Sequence, residues 1–366
     1  MAAIFRQSSD RYRSVISSLL LFVFSLFFLV GCSTTPVEKE GGGRKLQRVS
    51  EVELDPIQFI DISRDGSTFL AAGKYGPIRT WLNDLSENTL RTIDAEGFTE
   101  LVSCHFVGKN TDVFVAGKSG LAAIFSARAN KKIEYRFELA SGLAEISPDR
   151  KYIAFDGQVI DTEMSAILPD TALVAVQSTV QFVDNDLLMV ASVHSNSVTV
   201  RYLPQNILNT FEFDDKVMNA AIDPQKNWLA VSLQSGLMVL SDLNTKEQVS
   251  SARMEYFASG IEFVNGQLVV LQGQYFDSLS LPGLSSIHRI EFNNDIQVHD
   301  FDQNLLALGT FSGGIYVYSM SQGESPVIVA SGELGEPAEA IRINAGVRMV
   351  MSAGRNGKIG LFCLPE

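Results

Sequence analysis

Four histidines are the first candidates for chemistry in this 366-residue chain: His105, His194, His288 and His299. None is spaced as H-x-x-x-H or H-E-x-x-H, so the sequence contains no helical zinc motif. The run His299–Asp300–Phe301–Asp302 brings titratable groups together. In a strand, however, His299 projects to one face while Asp300 and Asp302 project to the other. We therefore expect a structural role for this run and no metal site.

The sequence lacks a complete motif for phosphate binding or for nucleophilic catalysis. Gly117–Lys118–Ser119 is similar to the end of a phosphate-binding loop, but Asp112 stands where that loop requires glycine. The tripeptide also lies between two predicted strands, where it indicates a hairpin turn. The sequence contains no G-x-S-x-G nucleophile elbow. We therefore predict no catalytic residues, no cofactor and no metal.

Covalent chemistry is predicted at the N-terminus. Three arginines (Arg6, Arg11 and Arg13) precede an apolar run over 15–30, a layout typical of a secretory signal peptide. The run ends in Leu29–Val30–Gly31–Cys32, which resembles the lipobox of bacterial lipoproteins, and this resemblance implies lipidation of Cys32. The alternative is an uncleaved transmembrane anchor, for which the apolar run is short.

The lipoprotein resemblance also implies a location. Ser33, rather than Asp, follows the cysteine, which in the enterobacterial sorting rule favours an outer-membrane anchor. We expect the anchored domain to face the periplasm, with display at the cell surface as the alternative. The predicted organisation is a signal peptide over 1–31, a polar flexible tether over 32–44 and one folded domain over 45–366. The net charge is −13 without any long basic block, which argues against nucleic acid as a partner. Cys104 and Cys363 are expected to be small buried side chains rather than a disulfide.

The folded domain repeats one strand pattern. Residues 340–363 contain three apolar runs of alternating period, and Arg355–Asn356–Gly357 forms the turn before the third. The last apolar residue of the first strand serves as an anchor for each copy. The anchors are 36 to 44 residues apart along the sequence. They are Ile62, Phe106, Ile146, Phe182, Ile222, Phe263, Phe301 and Ile343.

This pattern resembles a WD40 repeat, whose third strand follows a D-G or N-G turn and ends in an aromatic residue. The aromatic position is occupied by Trp81, Phe125, Tyr202, Tyr318 and Phe362. The resemblance implies an all-β, WD40-like propeller with eight four-stranded blades, or seven as the alternative. Only three residues follow Cys363, too few for a last strand. We therefore expect an N-terminal strand over 45–52 to close the ring and hide its sheet edges.

In WD40 proteins the loops between strands two and three and the loops between blades share one face. Here those loops carry acidic and aromatic residues, which predicts a protein-contact surface. The alternative is plain solubility, with acids in water and aromatics turned inward. The candidate interaction residues are Tyr75, Asp214, Asp215, Tyr275, Phe276, Phe311, Glu333 and Glu336, and Asp94, Glu96, Glu255 and Asp295 add to the acidic character.

The functional prediction is a lipid-anchored scaffold whose propeller binds an unidentified protein partner, with a basic partner as the complement of the acidic loops. The alternative is an enzyme or small-ligand binder that uses the central funnel, because propellers host both classes. A set of His, Asp or Glu residues converging from equivalent positions of several repeats would favour the alternative. No such set is evident in the sequence.

Overall fold

The computed structural model describes residues 37–39, 44–95, 97–108, 111–126, 131–137, 144–155, 158–168, 178–182, 187–192, 195–203, 207–223, 225, 227–321 and 324–365. The chain divides into two compact units, Met1–Val37 and Glu38–Glu366. Of the first unit only Val37, which begins the short strand β1 (Val37–Lys39), is described. The predicted signal peptide, Cys32 and Glu96 lie outside the described residues. Within the described part, no helix has the length and apolar character needed to cross a membrane.

The second unit is built of short antiparallel strands, as the alternating apolar runs and Gly/Asn turns predict. Two N-terminal strands, β2 (Arg44–Lys45) and β3 (Gln47–Glu53), precede the first repeat. Sheet 1 contains β4 (Phe59–Ile62), β5 (Thr68–Ala72), β6 (Ile78–Leu82) and β7 (Arg91–Ile93). Sheet 2 contains β8 (Leu101–Val107), β9 (Asp112–Gly117), β10 (Leu121–Phe125) and β11 (Lys131–Arg136). A 3-10 turn over Glu87–Thr89 separates β6 from β7.

The next three sheets repeat the same order. Sheet 3 contains β12 (Glu145–Ile146), β13 (Tyr152–Phe155), β14 (Gln158–Asp161) and β15 (Ala166–Ile167). Sheet 4 contains β16 (Ser178–Phe182), β17 (Leu187–Ser192), β18 (Ser197–Tyr202) and β19 (Ile207–Glu212). Sheet 5 contains β20 (Val217–Ile222), β21 (Trp228–Leu233), β22 (Leu237–Asp242) and β23 (Gln248–Arg253).

The described strands form eight sheets. Sheet 6 contains β24 (Gly260–Val264), β25 (Gln267–Gln272), β26 (Tyr275–Ser280) and β27 (Ser286–Glu291). Sheet 7 contains β28 (Ile296–Asp302), β29 (Leu305–Thr310), β30 (Gly314–Ser319) and β31 (Val327–Glu333). Sheet 8 contains β32 (Ala338–Asn344), β33 (Met349–Gly354) and β34 (Lys358–Cys363), and β3 completes it.

The N-terminal strand closes the last sheet, as predicted. β3 pairs antiparallel with β34, with Gln47 opposite Cys363 and Glu53 opposite Lys358. The predicted strand began two residues early and ended one residue early. Lys45 belongs instead to β2, which runs parallel to β31 at the edge of sheet 7. Leu46 lies between the two strands, is buried, and donates its backbone N–H to the oxygen of Ser331 at 2.7 Å. The chain therefore passes from the edge of sheet 7 to the edge of sheet 8.

The core lies between neighbouring sheets, which face one another around a ring. Ile60 and Trp81 of sheet 1 pack with Met351 and Leu361 of sheet 8. On the other side of sheet 1, Leu70 shares a buried cluster with side chains of sheet 2. Six of the eight anchors are buried, whereas Ile146 and Phe301 are half-buried. Cys104 is buried, as expected, whereas Cys363 is only half-buried; both thiols are free.

Because consecutive strands are antiparallel, the turns and loops fall at two opposite ends of the ring. Turns from the first to the second strand and from the third to the fourth strand of each sheet lie at what we call the lower end. Turns from the second to the third strand, and the loops between sheets, lie at the upper end. The predicted interaction residues therefore belong to the upper end.

Candidate functional site

The innermost strands surround a central cavity of ≈ 820 Å³. Its wall contains the residue that precedes the anchor in most repeats. Because alternate residues of a strand point to opposite sides of its sheet, this residue faces the neighbouring sheet on the side opposite its anchor. Ile62 packs with sheet 8, whereas Asp61 reaches sheet 2. The cavity-lining residues at this position are Asp61, His105, Glu145, Glu262, Asp300 and Arg342.

Three of these carboxylates join neighbouring sheets through one repeated hydrogen bond. The Asp61 Oδ2 accepts the backbone N–H of Phe106, the anchor of sheet 2, at 2.8 Å. The Asp300 Oδ2 accepts the N–H of Ile343, the anchor of sheet 8, at 2.7 Å. Glu145 likewise accepts the backbone N–H of Phe182 in sheet 4. Each carboxylate thus satisfies a buried donor of the next sheet, which gives it a structural role.

Arginines balance part of this negative charge. The Arg342 Nη1 donates to the Asp300 Oδ1 at 3.3 Å. The Arg150 Nη2 reaches from sheet 3 to donate to the backbone oxygen of Ile62 at 2.7 Å and to the Asp61 Oδ1 at 3.5 Å. In all, the cavity wall includes five carboxyl side chains, three guanidinium groups and two imidazoles. The site is therefore polar and of mixed charge rather than simply acidic.

Burial in the cavity wall shifts the pKa of several lining groups. Burial raises the pKa of Glu145 to about 8, with Glu262 and Asp300 adding to the shift and Arg342 opposing it. Burial lowers the pKa of His105 and of His299 to about 4, although Asp61 opposes the shift at His105. Burial also raises the pKa of Asp300. Near neutral pH, Glu145 is thus a carboxylic acid and both imidazoles are uncharged.

This convergence of titratable residues was not predicted from the sequence. It found no titratable set at equivalent repeat positions, yet six of the eight residues before the anchors are titratable, the others being Gln181 and Ala221. Listing the residue before each anchor would have revealed the set. His299 lies on the opposite side of its strand from Asp300 and Asp302, as expected: it packs against Gly260 of sheet 6. The two carboxylates instead accept backbone N–H groups on the side of sheet 8, although all three residues line the cavity. No group of three or more His, Cys, Asp or Glu residues in the described part of the chain is arranged to hold a metal.

The predicted aromatic residues of the upper end differ in their exposure. Tyr75 is 71% exposed and Phe311 48% exposed, as a contact surface requires. Phe276 is only 1% exposed, because it is the second residue of β26 and points into the core between sheets 6 and 7. This removes Phe276 from the predicted surface. Tyr275 is half-buried and stacks on the ring of Tyr256 with the centroids 5.4 Å apart.

Two exposed aromatic residues of the upper end were not predicted. Tyr256 is 46% exposed and Phe257 64% exposed, and both lie in the loop from sheet 5 to sheet 6. A search of the between-sheet loops for aromatic as well as acidic residues would have found them. We use the term aromatic face for the four exposed aromatic residues Tyr75, Tyr256, Phe257 and Phe311 of the upper end, together with Tyr275, which stacks on Tyr256.

The predicted acidic residues of the upper end also fall into two groups. Asp214 and Glu333 are exposed. Asp215 instead accepts the backbone N–H of Lys216 and of Ser235, each at 2.7 Å, and these hydrogen bonds lower the pKa of its carboxyl. Glu336 similarly accepts the N–H of Asn356 and of Lys358 at the turn between β33 and β34. Asp215 and Glu336 therefore hold hairpin turns.

Three rings of the aromatic face each lie beside a cation. The Lys74 Nζ is 5.3 Å from the centre of the Tyr75 ring, and the Arg355 Cζ is 5.6 Å from that of Phe311. The Arg289 guanidinium lies 4.9 Å from the Tyr275 ring. Each cation is also paired with an acid, as in the 3.0 Å contact of Lys74 with Glu100. The charge next to these rings is therefore balanced within the chain.

Comparisons with known proteins bear on the fold. No family model and no curated protein sequence matches this chain. Among solved structures, the chain is similar to the C-terminal WD40 domain of Sif2, with a TM-score of 0.67 and 11% identity over 89% of this chain and 100% of that one. It is similar to Saccharomyces cerevisiae Sqt1, with a TM-score of 0.66 and 12% identity over 88% of this chain and 100% of Sqt1.

The described chain is a WD40-like propeller. A computationally designed protein, Ika8, is also similar, with a TM-score of 0.69 and 14% identity over 87% of this chain and 100% of that one. At identities this low, the structural similarity establishes the fold alone, and function has to be argued from the site. The propeller presents two candidate sites, the aromatic face at the upper end and the polar cavity that the innermost strands surround.

Proposed function

We propose that this protein is a lipid-anchored envelope scaffold whose eight-bladed propeller binds a protein partner through the aromatic face. The observation that carries the proposal is the exposure of Tyr75, Phe257 and Phe311 at one end of the ring. Aromatic side chains are enriched at protein interfaces because each buries a large area with little loss of side-chain entropy. The neighbouring cations add stacking and hydrogen-bonding groups.

The N-terminal sequence supports the cellular setting of the proposal. The arginine-rich head, the apolar run and the Gly31–Cys32 pair favour lipidation, and Ser33 favours an outer-membrane anchor. A propeller tethered in this way would meet its partner at the periplasmic surface of the membrane. The exposed carboxylates of Asp214 and Glu333 favour a partner with basic groups at the edge of the contact. The role is one of binding, without catalysis.

The test compares two matched triple variants of the full-length protein. Tyr75→Ala, Phe257→Ala and Phe311→Ala together remove three exposed rings from the aromatic face. The control combines Leu82→Ala, Met164→Ala and Val327→Ala, which are 45%, 63% and 60% exposed at the lower end. After crosslinking in membranes, we expect partner recovery to fall at least about tenfold in the first variant and to persist in the control. Equal recovery from both variants would exclude the aromatic face.

A further inference from the structure

The central cavity has the size and access of a ligand site. Its volume of ≈ 820 Å³ lies within the range of about 300–1,000 Å³ that is usual for small-molecule pockets. Arg64, Gln303 and Gly346, from turns that follow innermost strands, also line it. These turns belong to the lower end, so the cavity extends to the end of the ring opposite the aromatic face. A ligand here would not compete with a partner bound at the upper end.

Unused hydrogen-bond donors line the wall. Arg342 makes one side-chain hydrogen bond within the described residues, to Asp300. Its Nε and Nη2 groups are therefore available to a ligand, and its side chain is 36% exposed. His105 and His299 are neutral near pH 7, and each neutral imidazole offers one donor and one acceptor.

The side chain of His299 packs closely against the backbone of the neighbouring sheet. A Cβ atom on Gly260, the first residue of β24, would lie 2.5 Å from the His299 Cε1. Glycine at this position therefore makes room for the imidazole of the neighbouring sheet. An imidazole packed in this way keeps one orientation, and ordered polar groups are what a specific ligand site requires.

Unused acceptors face the same space. Asp302 accepts the N–H of Ala345 through Oδ2, and Asp300 accepts one N–H and one arginine donor. A carboxylate has about four lone-pair positions, so each retains acceptor capacity. Glu145 in its neutral form supplies both an O–H donor and a carbonyl acceptor. Donors and acceptors are thus interspersed around the wall.

The charge of the wall favours an uncharged ligand. With Glu145 protonated, four carboxylates face three guanidinium groups, so neither a cation nor an anion would find a field of one sign. Hydroxyl groups donate to carboxylates and accept from arginine and histidine. We propose that the cavity binds a small, uncharged, hydroxyl-rich molecule of the sugar or polyol class, with Arg342, Glu145 and His299 as its main contacts.

The test uses the full-length protein and named probes. Glucose, maltotriose, chitotriose, myo-inositol, citrate and spermidine are titrated separately, and the shift in melting temperature is recorded. We expect at least one of the four uncharged probes to raise the melting temperature in a saturable way. Stabilisation by citrate or spermidine alone, or by none of the six probes, would overturn the proposal.

Variants then place the binding site. Arg342→Met and, independently, His299→Gln should each weaken binding of the stabilising probe at least about tenfold, the loss of roughly one good hydrogen bond. Arg355→Met, at the aromatic face, is the matched control and should bind unchanged. Circular dichroism checks the folding of each variant, and His299→Gln decides if Arg342→Met fails to fold. Unchanged affinity in a folded cavity variant would contradict the proposal, whereas failure of the aromatic-face test would leave it standing.

Discussion

Asp61 and Phe106 belong to different sheets, and the carboxylate of Asp61 accepts the backbone N–H of Phe106 at 2.8 Å across 45 positions of sequence. The same Asp61 side chain accepts the N–H of Ile62 at 2.8 Å. Asp300 and Ile343 repeat the arrangement between sheets 7 and 8. A strand edge inside a propeller has donors that its own sheet cannot satisfy, and these carboxylates satisfy them from the neighbouring sheet.

Loss of the Asp61 carboxylate should therefore destabilise the ring. Asp61→Ala leaves the N–H of Phe106 without its acceptor in a buried position, and an unsatisfied buried donor costs roughly 1–3 kcal/mol of unfolding free energy. Asp55→Ala is the control, since the Asp55 side chain is 80% exposed. Urea unfolding of both variants measures the difference. Equal midpoints would show that the hydrogen bond between sheets contributes nothing to stability.

The closing strand gives a second test at Gly357. This residue has φ +95° in the turn from β33 to β34, and a Cβ atom there would overlap the carbonyl oxygen of Leu54, which follows β3. Gly236 occupies the same turn of sheet 5 with φ +79°, but its Cβ would find its nearest neighbour, the oxygen of Met254, at 3.8 Å. Both alanine variants introduce the left-handed strain.

Only Gly357→Ala should also push against the N-terminal strand. We expect it to lose on the order of 1–3 kcal/mol more unfolding free energy than Gly236→Ala, as overpacking usually does. Calorimetry of the two variants gives the comparison. An equal loss of unfolding free energy in both variants would mean that the segment after β3 moves to accommodate the added methyl group. The N-terminal strand would then not be tightly packed at this point.

The fold was predictable because its signals are local. Each repeat carries its own apolar alternation, and turns such as Asn356–Gly357 are readable within a few residues. The closing strand followed from counting strands after Cys363. Errors of one residue were nevertheless decisive for side chains: β26 begins at Tyr275, so Phe276 falls on the inward side of the strand. Because side chains of a strand alternate with a period of two, an error of one residue in the start of β26 exchanges its inward and outward faces, and the sequence alone does not fix that start.

The cavity was harder to predict because its residues share a position rather than a residue type. Asp61, His105, Glu145 and Arg342 have no common chemistry, and in a linear sequence each looks like an isolated polar residue within a strand. Only closure of the ring brings them together. Their hydrogen bonds to neighbouring sheets likewise depend on the spacing of the sheets, which no local pattern encodes.

The predicted lipidation of Cys32 can be tested biochemically. Cys32→Ala should yield an uncleaved precursor that no longer incorporates labelled fatty acid, because the thiol that would carry the lipid is absent. Cys363→Ala is the control, since that half-buried free thiol lies in β34. Metabolic labelling followed by membrane fractionation measures both effects. Normal labelling and processing of the Cys32 variant would refute the lipoprotein prediction.

The last prediction concerns pH. Glu145 has an unfolded pKa near 4.5 and a folded pKa of about 8, so the folded protein holds this proton more tightly. The stability it contributes is complete below pH 4.5 and is lost as pH rises to 8. His105 and His299 act in the opposite direction, because their pKa falls from 6.5 to about 4 on folding. Their contribution rises from pH 4 and is complete by pH 6.5.

Above pH 6.5 the histidine contributions are complete, so the difference between the wild type and Glu145→Gln isolates the effect of Glu145. We expect the melting temperature of the wild type to fall from pH 6.5 to 8, and Glu145→Gln, which cannot ionise, to flatten the fall. Glu333→Gln is the control because Glu333 is exposed. Calorimetry at half-unit pH intervals makes the comparison. If the Glu145→Gln curve runs parallel to the wild type from pH 6.5 to 8, the Glu145 carboxyl is already ionised at neutral pH, and the cavity wall is more negative than its packing implies.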